Sequence, residues 1–211
     1  SDDFIGGVIS ALNVTDMALM LIDATSGVEV GTMNQFRYAE ELKKPVLFVI
    51  NQLDHEKADY ENTLTGLKEM YGSKVITVQY AVSSGTSFDA VIDVLKQKMY
   101  KWKPGATAPD VMEIPESEKE KAGEVFQQLL EAAAENDDSL MEKFFDQGTL
   151  SEEEMRDGIH KGMIARTIFP VFCASGEKNM CVHRIMNFLS VAAPAPNEMP
   201  APINTDGEEV K

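Results

Sequence analysis

The chain has 211 residues, of which 44% are apolar, enough for one domain or for one domain with a sizeable insert. Its net charge of −16 argues against direct nucleic-acid binding over most of the surface, and its apolar runs are far too short to span a membrane. Two cysteines, Cys173 and Cys181, stand with no further Cys or His in metal-ligand spacing, which implies reduced thiols and a cytoplasmic setting.

Residues 1–13 read as a helix, with Phe4, Ile5, Val8, Ile9 and Leu12 on one side and Gly6 and Gly7 weakening it. The chain opens inside this helical pattern with no signal peptide, so its start reads as an interior point of a longer protein. Residues 16–24 (DMALMLIDA) form a buried strand, 25–30 a loop, and 31–43 an amphipathic helix with Phe36, Ala39 and Leu42 inward. Lys43 and Lys44 complement the dipole of that helix at its end, and Pro45 stops it. The run Val46-Leu47-Phe48-Val49-Ile50 is a strand buried on both faces, as in a parallel sheet. A helix over 59–71, ended by Gly72, and a strand over 75–80 follow. This α-β-α-β-α-β order predicts a doubly wound parallel sheet.

The pattern then changes. Short strand-like pieces at 91–95, 99–102 and 111–114 are broken by Gly and Pro and look antiparallel, with Tyr100 and Trp102 packing the small sheet. Helices follow over 117–136, 139–145 and 151–166, the last opened by a capping box of Ser151 and Glu154. Residues 169–173 (FPVFC) return to a buried strand in which Pro170 marks an edge or a strand start. A helix over 180–191 and a Pro-rich, then acidic, tail complete the chain. The predicted organisation is an α/β fold: a truncated doubly wound sheet in segments 1–80 and 168–195, an α+β insert at 81–167, and a linker at 196–211. His55, His160 and His183 are scattered and read as surface residues.

The first chemical signal sits where the run at 46–50 ends, in Asn51-Gln52-Leu53-Asp54. Ligands of open α/β sheets lie beyond the carboxyl ends of the strands. A carboxylate there accepts two parallel N–H bonds, which guanine offers on one edge and adenine does not; an unmatched buried partner discriminates by roughly 10⁴-fold. The same four residues also suit a strand followed by an Asx turn.

Asn51-Gln52-Leu53-Asp54 resembles the Asn-Lys-x-Asp guanine motif of the GTPases, with Gln52 at the lysine position. The wider order of parts resembles the GTPase domain of bacterial elongation factor G. Asp3-Phe4 matches the close of that family's Asp-Thr-Pro-Gly-His-x-Asp-Phe, and Asp23-Ala24-x-x-Gly27-Val28 its Asp-Ala-x-x-Gly-Val. Ala174-Ser175-Gly176-Glu177-Lys178-Asn179-x-x-Val182 is similar to its Gly-Ser-Ala-x-Lys-Asn-x-Gly-Val, and 81–167 to the extra subdomain that it carries. The resemblance implies a nucleotide-binding set of Asn51, Gln52, Asp54, Ser175 and Gly176, with the Ser175 segment's backbone on the guanine carbonyl. It implies a parent that uses GTP and Mg²⁺ on the ribosome.

No Gly-x-x-x-x-Gly-Lys-Ser/Thr occurs in the chain, so the phosphate half of the site is missing. No bound nucleotide, metal site, catalytic residue or hydrolysis is therefore expected of this fragment itself. Two departures mark an unusual member, Gln52 for the lysine and Ser1 at the place of the water-positioning histidine; Cys181 also stands for a glycine, where a small thiol can serve packing alone. The implied function is ribosomal translocation by a GTPase. The alternatives are a divergent ribosome-binding translocation factor with weak or no GTP hydrolysis, and a ribosomal protection factor.

Residues 110–157 carry 16 Asp and Glu against 4 Lys and Arg. At about 100° per residue, Glu116, Glu120, Glu124, Glu131 and Glu135 share one stripe of the long helix, opposite Ala122, Val125, Phe126, Leu129 and Ala133. A solvated face opposite a core face accounts for this pattern. The resemblance adds a second reading, an anionic surface that docks the ribosomal stalk protein.

Overall fold

A computed structural model describes residues 5–201. The readings of Ser1, of Asp3-Phe4, of residues 1–4 of the opening helix and of the acidic tail beyond 201 fall outside the described residues.

The first sheet is wholly parallel, in the order β1-β2-β8-β3. Its strands are β1 (Ala18–Asp23), β2 (Val46–Asn51), β3 (Val75–Thr77) and β8 (Phe169–Cys173). β2 and β8 are the inner strands, and Val46 to Ile50 are each at most 2% exposed, as an apolar run without alternation requires. The helices α1 (Ile5–Val14), α2 (Val30–Glu41), α3 (Tyr60–Tyr71) and α7 (Val182–Ala192) accompany this sheet. Asp59 caps α3 by accepting the Asn62 N–H, and Gly72, at φ +74°, ends it.

The second sheet is antiparallel, in the order β4-β5-β6-β7. It comprises β4 (Gln79–Ala81), β5 (Ala90–Asp93), β6 (Lys98–Lys101) and β7 (Asp110–Met112). Tyr80, Tyr100 and Trp102 are buried in it. Three helices follow: α4 (Glu116–Ala134), α5 (Asp138–Gln147) and α6 (Glu152–Ala165). Both halves of the Ser151–Glu154 capping box are formed at the start of α6. α6 lies tightly on α4 because Gly158 leaves out a side chain where the Ala133 carbonyl passes.

Two expectations change, and one open alternative is decided. The strand expected over 75–80 is two strands in different sheets, with the switch at Val78. The Val78 N–H donates to Val171 of the parallel sheet, and the Val78 carbonyl accepts from Val94 beside the antiparallel one. Nothing in Val75-Ile76-Thr77-Val78-Gln79-Tyr80 marks this corner, because residues on both sides of it are buried: Val75 and Thr77 before it, Gln79 and Tyr80 after it. β8 is an inner strand, so of the two readings of Pro170, an edge or a strand start, the strand start holds: Pro170 is the second residue of β8. Its Val171 carbonyl points to the β3 side and its Ala174 N–H to β2, so alternation turns the Pro170 nitrogen toward β2. Pairing with β2 begins one residue later, at Phe48–Val171, so no ladder bond is lost. Finally, His160 is not a free surface residue: Nδ1 lies 3.1 Å from the Ala192 carbonyl and Nε2 3.1 Å from Glu198 Oε1.

Candidate functional site

The ends of β2 and β8 are neighbours in the parallel sheet, so the loops that leave them run side by side. Backbone bonds tie them together: Ala174 donates to the Ile50 carbonyl at 2.9 Å and Leu53 to the Ala174 carbonyl at 3.3 Å. Asn51 closes the join, its Oδ1 accepting the Gly176 N–H at 2.9 Å. A Cβ on Gly176 would stand 3.5 Å from that oxygen, so the bare backbone leaves room at the rim of the two loops. The loop after β8 folds back on itself through two bonds between Ser175 and Met180, of 3.2 and 2.9 Å.

Ser175 is fully buried, and its Oγ accepts the Lys178 N–H at 3.1 Å. Its hydroxyl also supports the Asp54 carboxylate. Burial alone would raise the Asp54 pKa, but the Ser175 hydrogen bond, the Asp54 backbone amide and Lys178 together hold it below the ordinary aspartate value. The Lys178 Nζ lies 3.4 Å from Asp54 Oδ2. Asp54 is thus an ionised acceptor fixed in direction, at the carboxyl end of the sheet where open α/β folds hold their ligands.

Four of the five residues expected from the sequence, Asn51, Asp54, Ser175 and Gly176, therefore converge. Gln52 turns aside. It takes a left-handed backbone (φ +61°), and its Nε2 donates to Asp23 Oδ2 at 3.1 Å at the end of β1. Asp23 itself is oriented by the amide and hydroxyl of Thr25, at 2.8 and 2.7 Å from Oδ1. Asp23 and Lys178 were not among the site residues read from the sequence. Both lie inside the motif segments at 23–28 and 174–182, and that placement was the only signal for them.

The ends of β2 and β8 thus gather an oriented carboxylate acceptor, an amide side chain and a side-chain-free rim. The chain contains no Gly-x-x-x-x-Gly-Lys-Ser/Thr, and the described residues hold no group of three or more His, Cys, Asp or Glu suited to a metal ion. No helix among the described residues is long and apolar enough to cross a membrane.

The acidic stripe lies elsewhere. Glu116, Glu120, Glu124 and Glu131 on α4, and Glu135 at its C-cap, are all exposed, while Ala122, Leu129 and Ala133 are buried on the other side. Glu116 pairs with Lys119, and Glu131 accepts from Gln127. The remaining three make no ion pair among the described residues.

Comparison with known proteins places these features in a family. The model of the elongation factor Tu GTP-binding domain matches residues 1–195. An elongation factor G-like protein of Thermotoga maritima is 28% identical over 211 residues, covering 99% of this chain and 30% of that protein. A crystal structure from Thermus thermophilus matches with a TM-score of 0.85 at 29% identity, covering 94% of this chain and 29% of the other. The chain spans about 30% of the length of the curated relative. With the parallel sheet, the antiparallel second sheet and the family match across 195 residues, the chain belongs to the elongation factor Tu GTP-binding domain family.

Proposed function

We propose that the chain is the guanine-recognising part of a translation factor of the elongation factor G type, which promotes ribosomal translocation in the cytoplasm with GTP and Mg²⁺. Asp54 accepts the two adjacent N–H groups of guanine, Asn51 and the Ser175–Gly176 backbone border the base, and Gln52 lies at the rim beside Asp23. The observation that supports this reading is the tie between the loops after β2 and β8, which brings Asn51 against Gly176 and Asp54 against Ser175 and Lys178. In this reading residues 1–80 and 168–195 form the GTPase part, 81–167 an inserted unit and 196–211 a linker, with the chain changing sheets at Val78. The exposed glutamates of α4 form an anionic surface for the ribosomal stalk protein, which supplies basic residues.

A second reading has a specific observation in its favour. Gln52 is neutral and spends its amide on Asp23, where a lysine would bring a charge toward the nucleotide. A divergent translocation factor with weak or no hydrolysis fits that departure.

The test uses the longer protein that carries this domain. Asp54→Asn replaces one carboxylate acceptor with an amide donor, which opposes the guanine amino group and suits the xanthine carbonyl. GTP affinity is expected to fall by roughly 10²-fold or more while affinity for the xanthine nucleotide rises. Unchanged GTP affinity overturns the reading.

A further inference from the structure

Asp93 ends β5 of the antiparallel sheet, and Arg184 lies in the first turn of α7, 91 positions later. The Arg184 Nη2 donates to Asp93 Oδ2 at 2.5 Å, and Asp93 is 2% exposed. The same carboxylate oxygen accepts from Gln79 Nε2 at 3.0 Å, and Oδ1 accepts the Lys96 N–H at 2.9 Å. The carboxylate is therefore fixed from three sides. The guanidinium also stands over the Tyr100 ring, 4.7 Å from its centroid. Among the described residues this is the one ion pair made by α7, and it fastens the start of that helix to the antiparallel sheet.

Immediately before α7 stands the loop that bears Ser175 and Gly176. Two of its non-glycine residues, Asn179 (φ +53°) and Cys181 (φ +67°), hold left-handed backbone, and Cys181 supplies no side-chain cap to α7. Such conformations persist only where the surroundings over-determine them. β8 fixes one end of the loop. The other end is fixed by where α7 begins.

We propose that Asp93 and Arg184 are a positioning pair for the loop after β8, so that the antiparallel unit sets the shape of the candidate base site from behind. Neither side chain touches the base; both act through the first turn of α7. The proposal rests on reading Ser175–Gly176 as a base-contacting loop. It also gives a physical route by which a partner on the antiparallel unit changes nucleotide affinity.

The test is residue-resolved amide hydrogen exchange on this chain, comparing wild type, Arg184→Met and Arg184→Lys. In Arg184→Met the amides of Ser175, Gly176 and Met180 are expected to exchange about tenfold faster or more, while those of Phe48 and Ile50 change by less than about threefold. Arg184→Lys, which keeps the charge, is expected to recover most of the protection. Uniform acceleration across both sets overturns the proposal, as do unchanged loop amides or equal effects of Met and Lys. If Arg184→Met does not fold, Asp93→Asn/Arg184→Gln removes both charges together and is read by the same criteria. A normal loop response beside failure of the Asp54→Asn test overturns the guanine reading and leaves the positioning pair standing.

Discussion

Asn51 Oδ1 accepts the Gly176 N–H at 2.9 Å, across 125 positions of sequence. One side chain thereby ties two loops that only the parallel sheet brings together. Asn51→Ala removes the acceptor and leaves the Gly176 amide to water, since Gly176 is exposed. The expected loss is about 1 kcal/mol, equivalent to a fall in Tm of roughly 2–4 °C for a chain of this size. Thermal unfolding measures it, and an unchanged Tm would show that the tie contributes nothing to stability.

Asp54 carries the pH prediction. Its folded pKa lies below the ordinary aspartate value because Ser175 and Lys178 outweigh the upward push of burial. A depressed carboxylate pKa adds stability that is complete above the unfolded value and is lost as pH falls through the folded one. Titration of the Asp54 carboxyl carbon by NMR is expected to give a midpoint below that of an exposed aspartate, and Lys178→Ala is expected to raise it. A midpoint in Lys178→Ala equal to wild type removes Lys178 from the account.

Much of this was legible in the sequence because periodicity and chemistry spoke together. The run at 46–50 has no polar face, so it reads as a strand buried on both faces, which it is, and the Asn-x-x-Asp after it lies beyond the carboxyl end of that strand. The corner at Val78 was not legible, since residues on both sides of it, Val75, Thr77, Gln79 and Tyr80, are buried alike. Pro170 left an edge and a strand start open, and the register, with β2 joining one residue later, decides for a strand start on an inner strand. The left-handed turn of Gln52 toward Asp23 and the Asp93–Arg184 pair depend on where distant segments meet. Local sequence carries no record of that.

The contact of α6 with α4 gives a sharp packing test. A Cβ on Gly158 would lie 2.3 Å from the Ala133 carbonyl oxygen, a backbone atom that cannot swing away. Gly158→Ala is therefore expected to destabilise by about 1–3 kcal/mol, although alanine is the better helix former. Gly123→Ala on the exposed side of α4 meets nothing within 4 Å and is expected to stabilise by about 0.5–1 kcal/mol. Opposite signs in urea unfolding support the close approach; two stabilised variants would contradict it.

The exposed glutamates of α4 invite a charge reversal. Glu120→Lys/Glu124→Lys changes two exposed side chains that make no ion pair among the described residues, so Tm is expected to move little. If this face docks the basic stalk domain, association slows and affinity falls, by about tenfold for two reversals at low salt, with less difference as salt rises. Binding to the isolated stalk protein measures it. Equal affinity at low salt removes α4 as the docking surface.

Gln52 offers the closing prediction, because its place is fixed by geometry and its chemistry departs from the family motif. Its backbone is already left-handed, so a lysine there meets the same strain. The Gln52 amide reaches Asp23 through a neutral donor at 3.1 Å. Lysine keeps a stem of similar reach and adds a charge beside the Asp23 carboxylate, turning that bond into a charge-assisted one. In this chain Gln52→Lys is expected to stabilise only slightly, by about 0.5 kcal/mol or less, because the pair is exposed and screened. In the longer protein the expectation is larger. A cation at the rim attracts the phosphates of a bound nucleotide, and GTP affinity is expected to rise several-fold, with dissociation slowed more than association. Calorimetric titration of the longer protein with GTP decides it. If affinity is unchanged while Tm rises, Asp23 holds the new ammonium to itself, and position 52 plays no part in nucleotide binding.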